Sequence, residues 1–206
     1  MPTDLHRVLP NAITVARLVM ATGVFVLLSL QPYHARARAQ ALHDPDLAQA
    51  APLDWLCLLA AGLFALAALS DALDGLLARR WNAITPFGRV MDPMADKILV
   101  LGAFILLAGP GFTDLATGRQ MTAVAPWMAV VMLARELLVT SLRGVMESRG
   151  VDFSATWSGK LKMILQSACV PLVLLVLGAG DPIHPGPQRD AVSAAVWLTV
   201  AITVWC

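Results

Sequence analysis

The chain has 206 residues, of which 58% are hydrophobic and only 14% are charged, and its formal net charge is +1. Soluble globular domains are about half apolar and about a quarter charged, so this composition argues against a soluble protein. The small net charge gives no basis for binding nucleic acid. The three cysteines, Cys57, Cys169 and Cys206, lack the spacing of a zinc site, a redox pair or a disulfide framework.

Apolar runs of membrane-spanning length recur along the whole chain. A run of about 17 to 25 apolar residues crosses the hydrocarbon core of a bilayer. We therefore predict an all-α integral membrane protein that forms one domain with six transmembrane helices. The predicted spans are 11–30, 53–81, 91–108, 121–146, 157–177 and 191–206. No early apolar run ends at a small-residue cleavage site, so a removable signal peptide is not expected.

The basic residues are distributed unevenly between the two ends of these spans. If both termini lie inside, the outer side holds only Arg36, Arg38, Arg119 and Arg189. The other basic residues then lie on the inner side, as cytoplasmic loops of membrane proteins require. This distribution predicts a multi-pass protein of the inner (cytoplasmic) membrane, with the turn after Arg79 in the cytoplasm.

The first predicted helix carries a polar stripe at its inner end. Asn11, Thr14 and Arg17 recur every three residues and therefore share one helical face. One interpretation is that the stripe packs against the second helix and contacts a ligand there. The other is that it caps the helix and fixes its orientation. The sequence leaves both interpretations open.

Four aspartates mark the end of the second helix and the start of the third. Asp71 and Asp74 are three residues apart, and Asp92 and Asp96 are four apart, so each pair shares a helical face. The turn at Pro86 reverses the chain, so the two pairs can meet near the inner surface. Four converging carboxylates are costly to desolvate in a membrane unless cations neutralise them. All-oxygen ligation suits magnesium, manganese or calcium, and magnesium commonly shares its sites with substrate phosphates.

Small residues accompany the aspartates. Gly75 and Ala78 lie on roughly the same face as the first pair, where a larger side chain would block a ligand from the backbone, and Gly88 lies where the third helix begins. A single acidic or small residue near a membrane surface is usually a solvated cap or a helix-packing position. That explanation does not account for the whole set at fixed offsets.

These residues match the signature of the CDP-alcohol phosphotransferase family, D-x2-D-G-x2-A-R-x8-G-x3-D-x3-D, without departure. The matching positions are Asp71, Asp74, Gly75, Ala78, Arg79, Gly88, Asp92 and Asp96. Outside the signature, the segments 9–17, 85–88, 134–136 and 157–162 resemble the members of that family whose acceptor is glycerol 3-phosphate.

The resemblance implies a homodimeric membrane enzyme with its site facing the cytoplasm. The implied reaction joins CDP-diacylglycerol and glycerol 3-phosphate and yields phosphatidylglycerol phosphate and CMP. It further implies that the four aspartates hold two Mg²⁺ or Mn²⁺ ions against the diphosphate, and that Asp96 is also the general base. The implied contacts to the CDP-lipid are Asn11, Thr14, Arg17, Asp71, Asp74, Gly75, Ala78, Arg79 and Gly88.

Basic residues of the fourth and fifth helices are candidates for the acceptor's phosphate. Arg135 and Arg143 lie eight residues apart near one face of the fourth helix, and Lys160 begins the fifth on the same inner side. Arginine suits bidentate phosphate binding and lysine acts as a point charge. The alternative for Arg135 is an ion pair with Glu136, which we disfavour because adjacent helical residues do not face each other. Lys162 enters the fifth helix on the same inner side, and for it the alternative to phosphate binding is anchoring at the inner surface.

Two other functions remain open. Family members that accept inositol phosphate, serine or phosphatidylglycerol would use the same aspartates; a phosphate-binding basic set disfavours serine but does not exclude inositol phosphate. A divalent-cation transporter would also place acids inside a membrane. Transport predicts acids spread along the membrane depth, whereas all four aspartates gather on one side beside basic residues. That arrangement favours an enzyme.

Overall fold

A computed structural model describes residues 13–30, 54–81, 86–113, 120–150, 157–179 and 187–206. Side chains are described throughout these ranges except at 71–81, 86–90, 92, 93, 157, 158 and 160. The described residues form six α-helices and no β-strand beyond a single bridge between Thr113 and Gln120. The predicted all-α class is confirmed.

The helices are α1 (Ile13–Leu30), α2 (Trp55–Trp81), α3 (Pro86–Leu107), α4 (Pro126–Ser148), α5 (Trp157–Ala179) and α6 (Pro187–Trp205). Three of them start four or five residues from the predicted spans, and each of these three begins at a proline. Proline suits the first helical position, because its fixed φ is already helical and its missing N–H has no partner there anyway. A proline before an apolar run therefore marks a helix start here.

Two stretches of the described helices are long and apolar enough to cross a membrane, namely Ile13–Leu30 and Leu161–Ala179, and Trp55–Ser70 is a shorter apolar stretch. The six-span topology therefore remains a prediction. The surface nevertheless suits a lipid environment. Large apolar side chains such as Val19 and Ile164 are each 66% exposed, and a water-soluble monomer rarely presents extensive apolar patches.

The core lies where α5 packs between α2 and α6, and where α4 packs against α3 and α6. Each helix contributes side chains that are at most 1% exposed: Val24, Phe64, Phe104, Met132, Leu174 and Val196. These apolar contacts fix α3, which carries two of the four aspartates, relative to α4 and α5.

Polar side chains that follow α3 in the chain cap its C-terminal end. The Gln120 side-chain amide donates to the carbonyls of Leu107 and Gly109 at 2.9 and 3.0 Å, and the Thr122 hydroxyl donates to Leu107 at 2.8 Å. Helix ends leave their last carbonyls without intrahelical partners, and these donors satisfy them. The helix is thus anchored at the end opposite its aspartates.

Candidate active site

The four aspartates lie on a hairpin of helices. Only four residues separate α2 from α3, and the two helices contact each other, so they run antiparallel. Asp71 lies ten residues before the last residue of α2, and Asp96 lies ten residues after the first residue of α3. At 1.5 Å per residue each is about 15 Å from the adjoining helix end, Trp81 or Pro86, and Asp74 and Asp92 are each about 10 Å from it. The two pairs therefore lie at matching depths.

Among these four carboxylates, only that of Asp96 belongs to the described side chains, where it is half-buried. Within the described part of the chain, no three His, Cys, Asp or Glu side chains converge on one point. The remaining signature residues lie on helical backbone without described side chains: Asp71, Asp74, Gly75, Ala78, Arg79, Gly88 and Asp92. The metal site stays a prediction.

The polar stripe of α1 faces the interior of the bundle. Thr14 is 1% exposed and Arg17 is completely buried, while Asn11 lies outside the described residues. An arginine that only signals topology reaches the headgroup region. The burial of Arg17 therefore favours packing of the stripe against other helices over a role only in fixing the orientation of α1.

A polar cluster, here called the Glu136 cluster, joins α3, α4 and α5, and its centre is buried. It consists of Lys97, Arg135, Glu136, Thr140 and Lys162. Glu136 Oε1 accepts hydrogen bonds from Arg135 Nη1 at 3.0 Å and from Lys162 Nζ. The exposed fractions of these three side chains are only 14% for Arg135 and 10% for each of the other two. Lys97 Nζ donates to the Thr140 hydroxyl, which donates to the Glu136 carbonyl at 2.7 Å.

One sequence-based interpretation of these residues was wrong, namely the rejection of an ion pair between Arg135 and Glu136. Arg135 does pair with adjacent Glu136, because the long side chain of arginine bends around the helix even though neighbouring Cβ atoms diverge. Lys162 is buried and contacts Glu136 on α4, which disfavours the alternative of anchoring at the inner surface. Glu136 itself was the signal that sequence reasoning missed: an acid within an apolar span requires a cation, and Lys162 enters the next span.

Of the three residues predicted to bind the acceptor phosphate, the structure describes the side chains of Arg135 and Arg143 only. Arg135 belongs to the Glu136 cluster, whereas Arg143 is exposed and lies about 12 Å further along α4. Lys160 lies in the first turn of α5, and its side chain is outside the described part. Within the Glu136 cluster, the carboxylate faces the cations of Arg135 and Lys162, so the group carries excess positive charge.

The sequence matches the family described as CDP-alcohol phosphatidyltransferase over residues 7–205. It is similar to a CDP-diacylglycerol–glycerol-3-phosphate 3-phosphatidyltransferase of Bacillus subtilis (strain 168), with 33% identity over 196 residues covering 95% of this chain and 89% of the relative. A protein of Mycobacterium tuberculosis described as a probable phosphatidylglycerophosphate synthase is 35% identical over 93% of this chain and 76% of its own length.

A relative in Shigella flexneri serotype 5b, with the same description as the Bacillus protein, is 36% identical over 75% of this chain and 77% of its own length. The family match includes both the aspartate-bearing hairpin and the helices that form the Glu136 cluster. The resemblance inferred from the aspartate signature is confirmed. The chain is an enzyme and belongs to the CDP-alcohol phosphatidyltransferase family.

Proposed function

We propose that this protein transfers the phosphatidyl group of CDP-diacylglycerol to glycerol 3-phosphate, yielding phosphatidylglycerol phosphate and CMP. The names of the Bacillus and Shigella relatives support this choice of donor and acceptor. One structural observation carries it: Lys97, the residue after Asp96, donates to Thr140 on the helix that bears Glu136. The aspartate hairpin and the basic cluster are thus neighbours, as a donor diphosphate and an acceptor phosphate require.

The donor half of the site is assigned to the hairpin. Aspartates supply the hard oxygen ligands that Mg²⁺ and Mn²⁺ prefer, so Asp71, Asp74, Asp92 and Asp96 are assigned to two such ions. When bound, the ions would neutralise the diphosphate and improve CMP as a leaving group. Gly75, Ala78, Arg79 and Gly88 would line the diphosphate, and Asn11, Thr14 and Arg17 would contact the CDP-lipid from α1.

The transfer step needs one proton acceptor. The acceptor hydroxyl oxygen forms a bond to the phosphorus of the phosphatidyl group, and the bond from that phosphorus to the CMP oxygen breaks. Asp96 takes the hydroxyl proton, and CMP leaves with the former bridging oxygen. Arg135, Arg143 and Lys160 are assigned to the acceptor's phosphate, where arginine gives bidentate contacts.

The surroundings of the site are part of the same proposal. The enzyme would cross the inner membrane six times, with the hairpin turn in the cytoplasm where both soluble substrate and CMP are available. The excess of basic residues at the inner span ends supports this orientation. A homodimer is expected from the family resemblance.

The decisive experiment supplies purified protein and CDP-diacylglycerol with a panel of acceptors and measures CMP release. The panel contains glycerol 3-phosphate, inositol phosphate, serine and phosphatidylglycerol, each with Mg²⁺, Mn²⁺ or a chelator. We expect CMP with glycerol 3-phosphate in the presence of either metal and none with the chelator. CMP with a different acceptor would reassign the substrate, and the absence of CMP with every acceptor would refute the proposal.

Substituting Asp96→Asn tests the base. The amide cannot accept the hydroxyl proton, so CMP release should fall by roughly a hundredfold to ten-thousandfold, the usual contribution of a general base. Binding of the CDP-lipid, measured by equilibrium dialysis, should change little. Asp190→Asn, in the exposed first turn of α6, is the matched control and should keep full activity. Loss of lipid binding in the Asp96 variant would make this residue chiefly a metal ligand.

A further inference from the structure

We propose that Glu136 is a positioning residue of the acceptor site, which holds the cations of Arg135 and Lys162 side by side for one phosphate group. The inference rests on the proposed function, since it assigns the phosphate to the acceptor. It also adds Lys162 and Glu136 to the residues that determine acceptor affinity. Neither follows from the aspartate signature, which ends at Asp96.

The charge balance of the cluster points to an anionic ligand. A buried ion pair is weak support for stability, because apolar residues of similar volume often stabilise a fold as well or better. Here the carboxylate of Glu136 meets two cations, and all three side chains are at most 14% exposed. Among the described side chains, at least one positive charge therefore remains uncompensated in a poorly hydrated place. A phosphate monoester supplies the missing negative charge and accepts charge-assisted hydrogen bonds.

The geometry suits a single phosphate. Arg135 Nη1 and Lys162 Nζ both bond to the same atom, Glu136 Oε1, so the two nitrogens lie within about 6 Å of each other, twice an ordinary hydrogen-bond length. A guanidinium and an ammonium each carry more donors than the one that Glu136 engages. The remaining donors are available to the oxygens of one phosphate between them.

The cluster is also tied to the candidate base. The Thr140 hydroxyl bonds to the Glu136 carbonyl one turn back on α4 and accepts from Lys97 on α3. Since Lys97 follows Asp96 directly, the helix carrying the base is fixed against the helix carrying the phosphate cations. The hydroxyl of the acceptor would then be held at Asp96 and its phosphate at Arg135 and Lys162. Fixing the orientation of a substrate in this way accelerates the reaction.

The test compares wild-type enzyme with Glu136→Gln, Glu136→Asp and a control, Glu147→Gln. Glu147 lies on the same helix and is exposed. For each protein, KM is measured separately for glycerol 3-phosphate and for CDP-diacylglycerol, with thermal unfolding in detergent alongside. We expect Glu136→Gln to raise the acceptor KM at least about tenfold, equivalent to about 1.4 kcal/mol, while the lipid KM stays within about twofold. Glu147→Gln should match wild type.

Glu136→Asp keeps the charge but withdraws the carboxylate by one methylene, so Lys162 must follow it. Its acceptor KM should rise by less than that of Glu136→Gln, by about threefold, which is about 0.65 kcal/mol. This variant decides the matter if Glu136→Gln does not fold. An unchanged acceptor KM in the folded variant, or an equal rise in both KM values, overturns the inference. Absence of CMP from wild-type enzyme with glycerol 3-phosphate would instead refute the proposed function.

Discussion

The two ends of α5 are held in place by different kinds of interaction. Near its C-terminus, the Cα of Gly178 approaches α2 so closely that a Cβ there would lie 2.8 Å from the Leu58 side chain and 3.2 Å from the Asp54 carbonyl. The Asp54 N–H donates to the Gly178 carbonyl at 3.0 Å. Near its N-terminus, Lys162 meets the carboxylate of Glu136 on α4. One end is fixed by shape and a main-chain hydrogen bond, and the other by charge.

The difference indicates which end serves stability and which serves chemistry. Close contacts between helices are favourable in a membrane, because small residues let the backbones approach and make many dispersion contacts. A buried charge cluster must first be desolvated, and its attraction rarely exceeds that penalty by much. Changes at the Gly178 end should therefore alter stability without altering substrate affinity. Changes at the Glu136 end should alter affinity even where stability is preserved.

The largest effect is expected for Glu136→Leu. This substitution leaves Arg135 and Lys162 buried without their carboxylate, and removing one partner of a buried ion pair costs about 3 to 5 kcal/mol. The double variant Glu136→Leu with Lys162→Met removes one cation as well, so it should regain much of that loss. Its KM for glycerol 3-phosphate should stay high. Denaturant unfolding in detergent gives the stabilities, and CMP release gives the KM values.

The single variant Lys162→Met completes this cycle and serves as its control. It leaves the pair between Arg135 and Glu136 intact, so it should be more stable than Glu136→Leu while losing acceptor affinity. If the double variant recovered both stability and acceptor affinity, the Glu136 cluster would stabilise the fold without contributing to acceptor binding. The comparison between the two ends of α5 would then fail.

The fold was largely predictable from the sequence because its signals are local. Apolar runs bounded by breakers gave the all-α class. The errors concern helix starts at Pro86, Pro126 and Pro187, which lie several residues from the predicted positions. The predicted starts were placed at the first residues of the apolar runs. A proline has a φ that suits the first helical position, so it can start a helix whatever the hydropathy of the residues that follow. Helix boundaries depend on such terminal chemistry.

In the candidate site too, features set by local sequence spacing were predictable, whereas contacts set by tertiary packing were not. That each aspartate pair shares a helical face was predictable, since residues three or four apart on one helix do so whatever the tertiary structure is. The convergence of the four carboxylates on metal ions stays a prediction. The contact between Glu136 and Lys162 joins residues 26 apart on two helices, and it depends on how α4 and α5 rotate against each other. The ion pair of Arg135 with Glu136 depends on the flexibility of a side chain, which backbone spacing does not determine.

The next effect in size is expected for Gly178→Ala. The added methyl meets the Leu58 side chain and the Asp54 carbonyl, which its hydrogen-bonded backbone holds in place. Overpacking of this kind destabilises by about 1 to 3 kcal/mol, and both KM values should stay at wild type. Gly62→Ala on α2 is the matched control, because a Cβ there meets nothing within 4 Å; it should be stabilising by about 0.5 to 1 kcal/mol. A changed acceptor KM in Gly178→Ala would show that both ends of α5 affect the site.

The smallest effect is expected for Asp54→Ala at the start of α2. The Asp54 carboxylate accepts from the Cys57 N–H at 3.2 Å, so its removal leaves one terminal donor of the helix without this cap and costs about 1 kcal/mol. The main-chain bond to Gly178 survives, so the contact between α2 and α5 persists and the loss should be smaller than for Gly178→Ala. For a chain of this size the unfolding midpoint should fall by about 2 to 4 °C. Asp54→Asn keeps a capping oxygen and should lose less. A greater loss for Asp54→Ala than for Gly178→Ala would mean that the carboxylate, and not the close approach of the backbones, fixes this end of α5.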